Sequence, residues 1–104
     1  MNHFTDLSGW NAIRSQREWL FKAEQPPGDH PFGAYFTTLE SGEPNLANKL
    51  RIPREKLAYV FSFRDRAPSD LSPLNGGRGK FIFFSPQDYA VEEVRQLANR
   101  GTGL

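Results

Sequence analysis

A chain of 104 residues is the length of one domain and can bury a core, though a modest one. With 24% charged and 38% hydrophobic residues it is expected to fold, and a net charge of +1 gives no global attraction to nucleic acid or an anionic membrane. The absence of cysteine excludes disulfides, thiolate metal sites and a cysteine nucleophile.

No apolar run approaches the length of a membrane span, so no membrane partner is expected. The first residues lack a basic stretch followed by an apolar one, the pattern of a signal peptide. The chain suits either the cytosol or a secreted effector. Residues 1–104 read as a single domain. A strand that starts at residue 1 or 2 is abrupt, which points to a module cut from a longer chain or to a trimmed one.

In chain order, Asn2-His3-Phe4-Thr5 reads as a short strand. Asp6 is a fair N-cap for a helix from Leu7 to about Gln16, with Leu7, Trp10 and Ile13 on one face. Gly9 costs that helix about 1 kcal/mol against alanine, so close packing is expected there. Glu18 to Lys22 reads as a second strand, and Gln25 to Pro31 as a loop by composition. Gly33 to Leu39 is a third strand. Ser41-Gly42-Glu43-Pro44 opens a short helix with a stripe of Leu46, Ala47 and Leu50, and Pro53 ends it. Leu57 to Phe63 is the strongest strand, with Leu57, Tyr59, Phe61 and Phe63 expected on one side.

Arg64 to Gly79 follows as a long polar loop, and loops of that length usually carry function or motion. Its Arg64, Asp65 and Arg66 read as a solvated turn. Gly76-Gly77-Arg78-Gly79 is glycine-rich but precedes a strand, so it fails the context test for a nucleotide fingerprint. Lys80 to Phe84 is the last clear strand. Ser85-Pro86-Gln87-Asp88 resembles a capping box, and Val91, Val94, Leu97 and Ala98 have the spacing of an amphipathic helix. Glu92 and Glu93 are expected to face solvent from it. Residues 100–104 form a tail. The fold class is α+β, with several short strands in a bent sheet and two or three small helices.

His3 and Tyr35 each place a polar group among apolar neighbours, about 30 residues apart on two strands. Facing one cleft, they suit a ribose and a flat heteroaromatic ring. His30 beside Asp29 offers with His3 only a poor metal site, so no metal is expected.

The run His3-Phe4-Thr5, then Gly9 and Ile13, then Gly33-Ala34-Tyr35-Phe36-Thr37-Thr38-Leu39, then Leu46-Ala47, Leu50 and Leu57 to Phe63 resembles a known family. It is similar to the small ADP-ribosyltransferase toxin-type domains of the His-Tyr-Asp class, over roughly the first two-thirds of the chain. The resemblance implies an ADP-ribosyltransferase-like split, strongly bent β-sheet and NAD as substrate. His3 would hydrogen-bond a ribose hydroxyl and Tyr35 would stack on nicotinamide. Gly33 would let the backbone approach the ligand, and Phe4, Thr5, Phe36 and Thr37 would line the cofactor site. Arg78 and Lys80, with Arg14 or Arg17, would attract the pyrophosphate.

The family's late strand supplies an acidic or amide group that stabilises the ribose cation. Here that strand opens on Lys80, and the nearest acid is Asp88, which also fits the capping box. The implied activity is an NAD-dependent ADP-ribosyltransferase or NAD glycohydrolase, a toxin or effector module; a catalytically weak NAD- or ADP-ribose-binding module on the same fold is the alternative. Protein, nucleic acid, small molecule and water all remain as acceptors. A small nucleic-acid-binding domain is a third reading, for which a net charge of +1 is low.

Overall fold

The structure is a computed structural model and describes residues 1–26, 28, 30–74 and 80–104. Strands β1 (Asn2–Thr5), β2 (Trp19–Phe21), β3 (Ala34–Thr37), β4 (Tyr59–Phe63), β5 (Ser72–Pro73), β6 (Ile82–Ser85), β7 (Tyr89–Val91) and β8 (Gln96–Gly101) alternate with two short helices, α1 (Leu7–Arg14) and α2 (Leu46–Leu50). Six strands form one antiparallel sheet in the order β5-β6-β3-β1-β4-β8, and β2 pairs with β7 as a separate two-stranded ribbon. The α+β class is as the sequence suggests.

Strand alternation divides the sheet into two packed faces. One carries His3, Phe36, Phe61 and Phe63, and the ribbon's Trp19, Phe21, Tyr89 and Val91 lie against it as the main core. Trp10 and Ile13 of α1 pack on the same core, while Leu7, half exposed, does not. The other face presents Phe4 and Val60, covered by Leu46 of α2 and by Leu57. Leu57 sits in a 3-10 turn over Arg54–Leu57 and so leaves the face that Tyr59, Phe61 and Phe63 share.

Asp6 caps α1 as expected, its Oδ1 accepting the Gly9 N–H at 2.9 Å. A Cβ on Gly9 would lie 2.0 Å from Thr5 Oγ1. Thr5 is buried and β-branched, so it has little room to yield. Overpacking therefore outweighs propensity, and Gly9→Ala is expected to lose about 1–2 kcal/mol although alanine is the better helix former. Urea denaturation checks this. Adding Thr5→Ala removes the obstacle, so in that background Gly9→Ala becomes neutral or stabilising.

The C-terminal third departs from the sequence expectation. Residues 89–101 are β7, a 3-10 turn over Glu93–Arg95, and β8, with no amphipathic helix and no capping box. Tyr89 and Val91, two residues apart, both reach the core, whereas Val94 and Leu97 stay exposed. Burial of a period-two pair against Trp19 and Phe21 overrides the helical spacing. Ser85 Oγ accepts from Gln87 N–H at 3.2 Å, a local turn and not a helix cap. Residues 100 and 101 belong to β8, not a tail. Within the segment read as one long loop, Leu71 and Leu74 are buried around β5. The glycine-rich run at 76–79 lies outside the described residues.

Candidate functional site

At the centre of the sheet the ladder between β3 and β1 is short, and the place where it stops is termed the split. β1 pairs with β4 at four successive positions and β3 pairs with β6 at four, but β1 and β3 meet in register only at Asn2↔Thr37. Met1 and Phe63 exchange both backbone bonds, at 2.8 and 2.9 Å. Antiparallel alternation then turns the N–H and C=O of Asn2 and Phe4 away from β4 and toward β3. Asn2 meets Thr37 there. Phe4 would meet Tyr35, and that pairing is not made. Instead the His3 imidazole crosses the gap, its Nδ1–H donating to the Tyr35 carbonyl at 2.8 Å. A carbonyl can only accept, so Nδ1 carries the proton and Nε2 keeps its lone pair.

His3 packs on Phe21 (4.6 Å between ring centroids) and Phe36 (5.6 Å). Burial among these rings pushes its pKa down to about 4, against a smaller upward effect of the bond to Tyr35. It is neutral at pH 7. Below about pH 6.5 the unfolded chain binds a proton that the folded chain refuses. Stability is therefore expected to fall between about pH 6.5 and pH 4, by up to about 3 kcal/mol from this group. Denaturant titrations at pH 7 and pH 4.5 check it: His3→Gln removes most of that loss, and carboxylates such as Asp6, held low by Lys56, act at lower pH.

The expectation that His3 and Tyr35 face one cleft is corrected. Tyr35 stands beside Phe84 of β6 (5.6 Å, near parallel), on the face opposite His3, and also contacts His30 at 5.8 Å. The odd number of steps from Phe36, which contacts His3, turns Tyr35 outward. The two residues share the edge of the split and not a face.

Other expected contacts prove to be internal. Phe36 is a core residue against Phe21, Phe63 and Tyr89. Thr37, 3% exposed, donates to the Phe81 carbonyl at 2.6 Å and accepts from Leu39 N–H. Gly33 makes room for the protein itself, since a Cβ would lie 2.5 Å from the Ser85 carbonyl. The Phe4 ring belongs to the smaller core, so only its backbone reaches the gap. Thr5 is buried beside Gly9. Of the expected pyrophosphate ligands, Arg17 pairs with Glu93 at 2.6 Å, Arg14 lies over the Trp10 ring at 4.2 Å, Lys80 is exposed, and Arg78 is outside the described residues.

Asp88 is exposed just before β7, and its Oδ1 accepts the Ala23 N–H at 2.8 Å. Ala23 lies two residues beyond Phe21, the ring against which His3 packs. This leaves Oδ2 available. Asp29 lies outside the described residues, and among the described residues no three metal-ligating side chains converge. No helix is long and apolar enough to cross a membrane among them. A depression of about 360 Å³ lies beyond β3, lined by Thr38, Leu39, Glu40, Gly42 and Glu43, and holds none of the expected site residues.

Sequence reasoning missed a polar cluster behind Asp88. Arg66 pairs with Asp70 and, at 2.8 Å, with Glu92. Arg95 reaches the same Glu92 oxygen at 2.9 Å and donates to the Tyr89 hydroxyl at 3.1 Å, which donates to Asp70 at 2.6 Å. Glu92 therefore serves two arginines, whose hydrogen bonds and charge hold its carboxyl below the usual range. The residues lie 3 to 29 positions apart along the chain, and no single spacing rule joins them. The comparisons add no relative: no family model, no curated protein and no solved structure matches this chain.

Proposed function

We propose that this chain is an ADP-ribosyltransferase-like domain that binds NAD at the split and breaks its nicotinamide–ribose bond. The observation that carries this reading is the interrupted ladder between β1 and β3 beside Phe4. A carboxamide presents one acceptor and one donor, as a peptide group does. Entering the split, the nicotinamide amide would take the place of the missing partner of Phe4 N–H and C=O. Neutral His3, with Nε2 free to accept, suits a ribose hydroxyl. Tyr35 contributes its backbone carbonyl, which His3 holds; its ring, on the opposite face against Phe84 and His30, takes no part in this reading. The family resemblance of the first two-thirds of the chain points the same way.

In the reaction the bond between ribose C1′ and the nicotinamide nitrogen breaks. The electron pair goes to the pyridinium ring, and nicotinamide leaves neutral. The Asp88 carboxylate faces the positive charge that grows on the ribose. An acceptor oxygen or water forms the new bond to C1′ and releases its proton to solvent. Incubating purified protein with NAD, followed by mass spectrometry for nicotinamide, ADP-ribose or a modified acceptor, tests the reading. Nicotinamide release supports it. Binding without release supports the alternative of a non-catalytic NAD- or ADP-ribose-binding module. Neither binding nor release at millimolar NAD overturns both.

A further inference from the structure

Asp88 immediately precedes β7 in the two-stranded ribbon, whose other strand β2 runs on to Glu24 and there exchanges both backbone bonds with Gly33, next to β3, at 3.0 and 2.9 Å. A pair of short strands is marginal by itself, and that backbone tie is on the β2 side, so β7 is held in addition by side chains. The Tyr89 ring enters the main core beside Phe36 (5.2 Å), and its hydroxyl is held from two sides, by Asp70 and by Arg95. Arg95 also takes the Ala90 carbonyl of β7 at 2.7 Å and the Arg64 carbonyl, just past β4, at 3.3 Å. One guanidinium thus ties the ribbon to the end of the central sheet.

Arg95 is only 8% exposed, and its Nε has no partner among the described residues. Burying a cation costs desolvation that an apolar residue of similar volume avoids. A guanidinium, with its rigid fork of donors, instead fixes geometry.

We propose that Arg95 and Tyr89 are positioning residues: with Asp70 they lock the ribbon strand and so set the place of the Asp88 carboxylate, which precedes it. The inference rests on the assignment of Asp88 above. It implies that NAD binding is independent of this lock while the chemical step depends on it.

The test measures NAD turnover, KM and urea stability for the wild type, Tyr89→Phe and Asp70→Asn, the first of which keeps the ring in the core. Arg95→Lys, which retains the charge without the fork, is the third variant. In variants that remain folded, kcat is expected to fall on the order of ten- to a hundredfold with KM for NAD unchanged, the size of effect a displaced catalytic group produces. Folded variants with lowered stability but unchanged kcat would overturn the inference and leave the proposed function standing. A folded wild type without NAD turnover takes away the proposed activity, and the inference with it.

Discussion

Phe21→Ala is expected to cost about 3–5 kcal/mol, a large part of the 5–15 kcal/mol that holds a domain of this size together. The ring is 1% exposed and contacts His3, Phe36, Phe61 and Phe63 at 4.6 to 6.0 Å between centroids. It is also one of the side chains that join the ribbon to the sheet. Its removal leaves a cavity that the aromatic neighbours, fixed on paired strands, cannot fill. The midpoint of urea denaturation should drop sharply. Phe84→Ala, at a half-buried position on the opposite face, should cost less than half as much. Equal losses at the two positions would contradict the division into a main core and a partly open face.

Asp88→Asn is expected to slow NAD turnover on the order of a hundredfold while leaving the melting temperature almost unchanged. The structural bond of Asp88 is to Ala23 N–H, and an asparagine Oδ1 can accept the same hydrogen. The substitution removes only the negative charge. A drop in melting temperature with undiminished turnover per folded molecule would mean that Asp88 serves the turn alone.

The N-terminal half was legible in the sequence because its signals are local. Asp6 before Leu7, the period-two aromatics of β4 and the apolar stripe of α2 each depend on neighbours a few residues away. The C-terminal strands were not legible, because Val91, Val94, Leu97 and Ala98 carry helical spacing and only burial of Tyr89 and Val91 against β2 decides otherwise. The same limit applies to the site. His3 and Tyr35 could be picked out by residue type, but which face each takes depends on where the β1–β3 register stops. The cluster around Arg95 depends on a ribbon whose docking no local pattern encodes.

The central claim is that the split beside Phe4 receives the nicotinamide amide of NAD. It is tested most directly by following backbone amide resonances during titration with NAD, and with nicotinamide alone. The amides of Phe4 and Tyr35 are expected to shift together and saturably with both ligands, with far smaller changes at Tyr59 and in β8. A folded protein in which millimolar NAD moves neither amide, or moves only residues around Thr38 to Glu43, would contradict the account.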